Sequence, residues 1–182
     1  VEVHDNRREE LASDFRKSFR ALWLIAVGIV GDPALADDVV QEAAVVALAR
    51  LDQFRPGSSF RAWVGQIVRN VAMNRLRSER RRRALTAAVR DRVPALRIVS
   101  EREIAEPRSM DAQILNALED VAEMPRACLL LRTIEGLGYQ EISSLLGIPE
   151  GKAMSHVHRT RKALRERLAG FWCERTQRTG TD

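Results

Sequence analysis

The chain has 182 residues and a mass of 20.6 kDa, the size of one large domain or two small ones. A hydrophobic content of 45% excludes a wholly disordered chain, and a charged content of 30% favours amphipathic helices over one thick core. Two cysteines without metal-ligand spacing favour a reducing, cytoplasmic compartment, and the longest apolar run, residues 21–30, is far below the roughly 20 residues of a membrane span.

The net charge of +5 conceals alternating acidic and basic blocks. Residues 1–54 hold ten acids against six bases, and residues 111–149 hold six acids against two bases. Residues 55–92 hold eleven arginines against two acids, and residues 150–182 hold eight bases against four acids. Basic blocks favour polyanions, and acidic blocks favour basic protein surfaces. The sequence therefore predicts two polyanion-facing surfaces, each beside a surface for a protein partner.

The predicted elements are helices, because no stretch alternates like a strand and no hairpin dipeptide occurs. A first helix is predicted over residues 8–30, and a second over residues 33–51. Between them Gly31 is a helix stop, Asp32 an N-cap and Pro33 a first helical residue. The apolar stripe predicted for the first helix consists of Leu11, Phe15, Phe19, Leu22, Ala26 and Ile29.

The second predicted helix has an acidic side. Adjacent Asp37 and Asp38 diverge by about 100° on a helix, and no histidine lies near them in sequence, so a catalytic or metal-binding carboxylate pair is disfavoured. An acidic face that docks on a basic protein surface is the better interpretation. The predicted face consists of Asp37, Asp38, Gln41 and Glu42.

A loop over residues 52–59 is predicted by its Pro-Gly pair, and Ser58 or Ser59 can cap the helix predicted over residues 60–83. Asn70 and Asn74 project from one face of that helix, which ends in the run of four arginines at residues 80–83. This pattern fits contact with a nucleic-acid backbone and with bases outside a duplex. The alternative is two hydrated surface asparagines. Trp63 falls on the apolar stripe and is predicted to be core.

Residues 86–111 have weak periodicity and contain Pro94 and Pro107, which predicts a linker or a short helix between loops. A short helix with Ile114, Leu115, Leu118 and Val121 follows, then one opened by Pro125, one over residues 139–146, and a basic helix over residues 152–171. The last two, joined by the glycine turn at residues 147–151, form a helix-turn-helix pattern. The alternative for the last helix is a solvated basic face. The predicted domains are residues 5–85 and 111–172, with a linker at 86–110 and a tail at 173–182.

Catalysis by this chain has no support in the sequence. His156 and His158 point to different sides of their helix and make a poor metal pair. The sequence has neither a phosphate-cradling glycine loop nor a serine elbow. We therefore expect no catalytic residue, no metal, no cofactor and no small-molecule substrate.

Taken together, these segments resemble the extracytoplasmic-function sigma factors (group IV) of bacteria, which carry only the second and fourth conserved regions of larger sigma factors. Residues 37–42 resemble the family's core-binding motif, and residues 54–63, 67–70 and 76–81 resemble its promoter-melting segment. Residues 125–161 resemble region four. The resemblance covers residues 11–82 and 112–168 with the motifs in the family's order, and implies an all-α fold of two small helical domains: a region 2 bundle and a region 4 helix-turn-helix.

The resemblance also implies partners for each surface. Asp37, Asp38, Gln41 and Glu42 would dock on a coiled coil in the largest subunits of core RNA polymerase. The loop over residues 52–59 would capture a flipped base of the minus-10 element. Residues implied at minus-10 DNA are Phe54, Arg55, Ser58, Ser59, Phe60, Arg61, Arg69, Asn70, Asn74, Arg77 and Arg80. Residues implied at minus-35 DNA are Lys152, Ser155, His156, His158, Arg159, Arg161 and Lys162.

The linker would thread toward the polymerase active centre, and a separate anti-sigma factor would mask these surfaces. The chain departs from the family at Ala43, Ala44 and Leu48, where aromatic residues are usual nearby, and at Lys152, Ala153 and His156, where threonine, valine and arginine are usual. A histidine cannot make arginine's bidentate contact with guanine, so the family's usual minus-35 preference is not carried over to this chain. The rivals are a stand-alone dimeric helix-turn-helix regulator and a helical nuclease.

Overall fold

The computed structural model describes residues 2–55, 57–90, 118 and 120–178, with the side chains of residues 2–10, 87–90, 168 and 170–178 left aside. Within these ranges the chain forms six α-helices, one short 3-10 helix and no strand, which confirms the all-α prediction. The predicted linker beyond residue 90, Ile114 and Leu115, and the end of the tail lie outside the described residues. The elements are α1 (Glu2–Val30), α2 (Pro33–Ala49), the 3-10 helix (Leu51–Gln53), α3 (Phe60–Arg90), α4 (Glu123–Thr133), α5 (Tyr139–Leu146) and α6 (Glu150–Arg178).

Helix α1 is the centre of the molecule and packs against α2, α3 and α4. Leu22, Ile25 and Ile29 are fully buried along its inner stripe. The placement of Phe19 on this stripe is wrong, since Phe19 is 46% exposed and Ser18 lies inward at 5% exposure. The reason is geometric. The buried positions of α1 are spaced three and four residues apart and include residue 18, and the next residue is turned from it by about 100°, so Phe19 faces outward.

The turn between α1 and α2 forms as its residue types predict. Gly31 adopts a left-handed backbone conformation with φ of 76°. The Asp32 carboxylate accepts hydrogen bonds from the backbone N–H groups of Ala34 at 2.9 Å and Leu35 at 3.4 Å, and Pro33 is the first residue of α2. α2 ends at Ala49, two residues earlier than predicted, because the chain tightens into the 3-10 helix.

The loop before α3 is closed by a tight turn. The backbone N–H and the hydroxyl of Ser58 both donate to the Arg55 carbonyl, at 3.1 and 2.7 Å. Ser59 is the residue that caps α3, because its hydroxyl accepts from the N–H of Ala62 at 3.2 Å. α3 continues to Arg90, seven residues past its predicted end. Just before the predicted end, Glu79 pairs with Arg82 and Arg83 at three- and four-residue spacing, and these pairs support the helix there.

Helices α4, α5 and α6 form the C-terminal half, with α6 packed on both other helices. The predicted helix-turn-helix is present: α5 ends at Leu146, and the next residue, Gly147, has a φ of 58°, in the left-handed region that favours glycine. The Ile148 N–H then donates to the Ser143 carbonyl at 3.1 Å and completes the turn. α6 begins at Glu150, two residues before its predicted start.

One continuous core joins the two halves of the chain. Buried residues of α1 and α3 belong to the same hydrophobic cluster as those of α4, α5 and α6. α1 packs against α4 and α3 packs against α5. Fully buried members from both halves are Leu22, Ile25, Val64, Val68, Leu131, Ile142 and Val157. Among the described residues, no helix combines the length and apolar character needed to cross a membrane.

Candidate functional sites

The acidic face of α2 is exposed and continues into an apolar patch. Asp38, Gln41 and Glu42 lie outward, while Val39, Val40 and Ala43 are buried against the rest of the fold. The three- and four-residue spacing carries the same outward stripe on to two apolar side chains, Val45 at 70% exposure and Leu48 at 48%. A surface with carboxylates at one end and aliphatic side chains at the other suits a protein partner better than a small ligand.

Two carboxylates of this face have partners within the fold. The indole Nε1 of Trp23 on α1 donates to Asp37 Oδ1 at 2.8 Å. Glu42 accepts from Arg75 Nε on α3 at 3.0 Å, in an ion pair exposed on both sides. Asp37 thus joins α2 to α1, and Glu42 joins α2 to α3. Asp38 and Gln41 are the exposed polar pair at the middle of the face.

The loop before α3 rests on three aromatic rings. Phe54 lies 5.6 Å from Phe60 and 5.3 Å from Trp63 between ring centroids, and Phe60 lies 6.0 Å from Trp63. These separations are typical of edge-to-face and tilted aromatic pairs. All three rings are half-buried, whereas Arg55, Ser58 and Ser59 are exposed at the tip of the loop. The rings therefore hold the loop and its polar tip projects to solvent.

One stripe of α3 presents the paired asparagines. Asn70, Asn74 and Arg77 are exposed, and their spacing of four and three residues aligns them along the helix. An Arg77 Nη donates to Asn74 Oδ1 at 3.4 Å, and Arg69 donates to Asn70 Oδ1 from Nη at 2.9 Å. Each amide oxygen therefore accepts a hydrogen bond from a guanidinium group, and the pair offers both base-edge hydrogen bonding and positive charge to a nucleic acid.

The neighbouring flank of α3 faces the C-terminal half. Arg61 pairs with Glu135 at 3.0 Å, and Arg80 pairs with Glu123. An Arg69 Nη donates to the carbonyls of Leu146 and Gly147 at the end of α5. Three of the residues predicted at minus-10 DNA are thus engaged within the fold.

The arginine run at residues 80–83 is partly neutralised by Glu79. Hydrogen bonds from Arg82 lower the pKa of the Glu79 carboxyl, with a further contribution from Arg83. The same interaction raises the pKa of Arg82. Glu79 therefore stays ionised at neutral pH and offsets part of the positive charge at this end of α3, while Arg81 remains exposed beside it.

The N-terminal part of α6 presents a basic face to solvent. Lys152, Arg159 and Lys162 are exposed and lie on one side, with Ser155 partly exposed among them. Ala153, Val157 and Thr160 form the opposite, buried side. His158 and Arg161 are also exposed, on the adjoining part of the outer surface. The arrangement has the charge, shape and length of a recognition helix for a DNA major groove.

His156 lies at the edge of this face. Its Nε2 is buried without a hydrogen-bond partner in the described part of the chain. Partial burial lowers the pKa of His156, and the positive charges of Lys152 and Arg159 lower it further. The imidazole is therefore neutral at pH 7 and adds no charge to the basic face.

Several residues that organise these surfaces were missed in the sequence. Trp23 and Arg75 gave no local signal, because their partners Asp37 and Glu42 lie 14 and 33 residues away. Arg126 had a visible signal, since it is a charge directly before the apolar run at residues 127–131, and it is buried at 9% exposure. Among the described residues, no three His, Cys, Asp or Glu side chains are grouped to hold a metal ion.

Comparison with known families covers both halves of the chain. Residues 15–82 match the family described as Sigma-70 region 2, and residues 111–164 match the one described as Sigma-70, region 4. The chain is 32% identical over 136 residues to the ECF RNA polymerase sigma-E factor of Escherichia coli, covering 70% of each protein. It is also 31% identical to the ECF RNA polymerase sigma factor SigE of Mycolicibacterium smegmatis, over 86% of this chain and 60% of that protein.

Another relative, the probable RNA polymerase sigma factor RfaY of Xanthomonas campestris, is 34% identical, and the chain spans only 36% of its length. Among solved structures, the sigma factor RpoE of Bartonella quintana, in complex with the anti-sigma factor NepR, matches with a TM-score of 0.63 and 25% identity. That match covers 88% of this chain and 98% of the other. CnrH, solved with the cytosolic domain of CnrY, has the same fold at 19% identity and a TM-score of 0.63.

Proposed function

The chain belongs to the extracytoplasmic-function sigma factors, and from this membership we propose that it is a promoter-specificity subunit of bacterial RNA polymerase. It would bind core polymerase, recognise minus-35 and minus-10 elements, and start transcription at promoters that contain both. Proteins of this family are not enzymes, and the polymerase makes the phosphodiester bonds. The residues 5–85 and 111–172 are the proposed region 2 and region 4 domains.

The observation that carries the proposal is the presence of two basic surfaces of different form in one chain. The α3 surface combines exposed amides at Asn70 and Asn74 with arginines and a projecting loop, which suits separated strands. The α6 surface is a single exposed basic helix that follows a tight turn, which suits binding in the groove of duplex DNA. A start site needs both forms of DNA, because the duplex must be recognised and then melted.

The proposed binding surface for polymerase is α2. Its acidic face is exposed around Asp38 and Gln41, and the aliphatic side chains of Val45 and Leu48 extend the surface. Carboxylates provide complementarity to a basic coiled coil, and the aliphatic end provides area that loses water on docking. Asp37 and Glu42, which are paired within the fold, would contribute chiefly by fixing the orientation of α2.

An anti-sigma factor is part of the proposal. The support is that a similar sigma factor, RpoE of Bartonella quintana, was solved with the anti-sigma factor NepR. Such a protein would bind this chain in the cytoplasm, where bacterial transcription takes place, and would compete with polymerase for its surfaces.

Reconstituted transcription tests the proposed function. Purified chain is added to bacterial core RNA polymerase with a supercoiled library of promoter fragments, and the 5′ ends of the transcripts are sequenced. We expect initiation that depends on the chain and that selects fragments with two shared elements. Core polymerase without the chain serves as the control for initiation that does not depend on the chain.

Two results would contradict the proposal. Tight binding to a palindromic duplex by a dimer, without any gain in initiation, would identify the stand-alone regulator instead. Cleavage of the template by the chain alone would identify a nuclease.

A further inference from the structure

The outer surface of α6 carries one large apolar side chain among its basic residues. Met154 is 54% exposed, and no other large apolar side chain of α6 is exposed among those that the structure describes. The core stripe of the helix, formed by Ala153, Val157 and Thr160, turns away from it. Single exposed apolar side chains are common on protein surfaces, so exposure alone assigns no role to Met154. Its position on the helix is what assigns one.

Met154 lies where a recognition helix meets base edges. α6 begins at Glu150, directly after the turn, so Met154 is in its second turn. The N-terminal residues of a recognition helix are the ones that contact base edges in the major groove. Met154 lies four residues before His158 and seven before Arg161, so the three share one exposed stripe. A Cβ built on Gly151, at the start of this stripe, meets nothing within 4 Å, so the approach to Met154 is open.

The nearest basic residues of α6 point away from the stripe of Met154. Lys152 lies two residues before it and Arg159 five residues after it, so neither faces the same way. The His156 imidazole is withdrawn as well, because its Nε2 is buried without a hydrogen-bond partner in the described part of the chain. No lysine or arginine therefore lies on this stripe before Arg161, and guanine, which pairs best with those side chains, has no such partner there.

The chemistry of methionine selects one feature of the major groove. The thioether of Met154 has no hydrogen-bond donor and is a weak acceptor, so it gains little from the polar edges of guanine, cytosine or adenine. Thymine alone among the four bases presents a methyl group in the groove. Contact between the two removes apolar surface of both from water. The unbranched, flexible side chain of methionine can adjust its rotamer to reach that methyl group.

We propose that Met154 is a specificity-determining residue of α6 that reads a thymine methyl group in the minus-35 element. The inference rests on the function proposed above and assigns a base preference at one position of that element. A base pair without a methyl group is disfavoured there, because the apolar end of Met154 would then dehydrate a polar base edge. Lys152 and Lys162, in contrast, supply charge that raises the affinity for every sequence.

Selection of duplexes followed by removal of single methyl groups tests the inference. A randomised pool of duplex DNA is bound by the full chain, once alone and once with core polymerase, and the enriched sequences give the element that α6 recognises. Each thymine of that element is then replaced by deoxyuridine, which lacks the methyl group and keeps every hydrogen-bonding group. We expect one of these replacements to weaken binding by about fourfold, the change equivalent to one buried methyl group.

Variants at the same position connect the methyl effect to Met154. Met154→Ala should bind the thymine and deoxyuridine duplexes equally, and it should fold, since the side chain is exposed and alanine favours a helix. Met154→Leu should retain a thymine preference of at least about twofold, because leucine keeps an apolar side chain of similar volume. Leu85→Ala is the matched control, because it removes an exposed apolar side chain from α3 and should leave the methyl effect intact.

Met154→Lys tests the converse. A lysine on the groove-facing stripe can donate to the O6 and N7 atoms of guanine. Selection repeated with this variant should therefore change the enriched pair at that one position from A·T to G·C. An A·T preference that persists in Met154→Lys would contradict the assignment.

Three further outcomes would overturn the inference: no enriched element or one without an A·T pair, binding that no deoxyuridine replacement weakens, or a methyl effect that Met154→Ala retains. None of them affects the transcription test, which uses the unchanged chain and measures initiation. Conversely, a chain that starts no transcription but selects a duplex through a methyl group recognised by Met154 would remove the proposed function and keep the thymine contact.

Discussion

Asp37 and Asp38 are adjacent in sequence and differ in their surroundings. Asp37 accepts a hydrogen bond from the Trp23 indole at 2.8 Å and so connects α2 to α1. Asp38 is exposed beside Gln41 on the outer face of α2. The two carboxylates therefore have separable roles, one in holding the helix pair and the other in meeting a partner.

Alanine at each position separates these roles. We expect Asp37→Ala to lower the free energy of unfolding by about 1 kcal/mol through the lost hydrogen bond. Asp38→Ala should change it by less than about 0.5 kcal/mol, as is usual for an exposed side chain. Urea unfolding followed by tryptophan fluorescence measures both.

For binding to core polymerase we expect Asp38 to matter more than Asp37. Asp38→Lys should weaken the complex because it reverses the charge at the centre of the acidic face. Unchanged affinity for Asp38→Lys would remove Asp38 from the interface. An Asp38→Ala chain that unfolds as easily as Asp37→Ala would contradict the assignment of the structural role.

At the scale of the element, α6 has one stripe for DNA and one for the core. The buried positions Ala153, Val157 and Thr160 fix the rotation of the helix, and the outer positions follow from that rotation. His156 lies at the boundary between the stripes, which explains its buried Nε2 and its lowered pKa. Arg159 lies at the centre of the outer stripe and is the best placed to reach a base edge.

Arg159→Ala tests base readout by α6. We expect the loss of about 1 to 3 kcal/mol of minus-35 binding, confined to one base-pair position, because a bidentate contact discriminates among bases. Competition between promoter duplexes with single substitutions, in the presence of core polymerase, measures the effect. Arg161→Ala is the comparison, and should weaken all sequences alike and reduce the salt slope by about 1. A uniform loss for Arg159→Ala would make it a phosphate contact.

At the scale of the molecule, Arg126 and Cys128 lie where α4 meets the rest of the core. Arg126 is 9% exposed and donates to three backbone carbonyls, two on α1 and that of Leu118. Burial raises the pKa of the Cys128 thiol from 9.0 to about 12. The folded chain therefore favours the protonated thiol, and the stability this contributes is present below pH 9 and lost as pH rises toward 12.

Arg126→Met should destabilise the whole molecule. The expected loss is about 3 kcal/mol or more, because buried carbonyls at the end of α1 are left without their donor. Urea unfolding measures it, and thiol labelling of Cys128 in a Cys173→Ser background should become faster. Arg132→Met is the control, since Arg132 contacts the Leu137 carbonyl and the Tyr139 ring inside the C-terminal half. Equal effects of the two substitutions would show that Arg126 has no special role in joining the halves.

The sequence by itself determined the helices, several of their ends, and the acidic face of α2 and basic face of α6. Periodicity of three and four residues defined α1, α2 and α3, and Asp32, Pro33 and Gly147 marked ends that the structure confirms. These features depend on residues within one or two turns of each other, so local spacing is enough to predict them. The motifs likewise led to the sigma family, whose two regions match the chain.

Only the tertiary structure decided which side chains form hydrogen bonds and ion pairs with residues far away in sequence. Asp37 meets Trp23, Arg61 meets Glu135, and Arg126 reaches Gly28, across 14, 74 and 98 residues. Local spacing does not encode such pairs, because they depend on how helices are rotated and stacked. Phe19 was misplaced for the same reason, since the rotation of α1 is set by what packs on it. Long-range packing therefore decided the contact between the two halves.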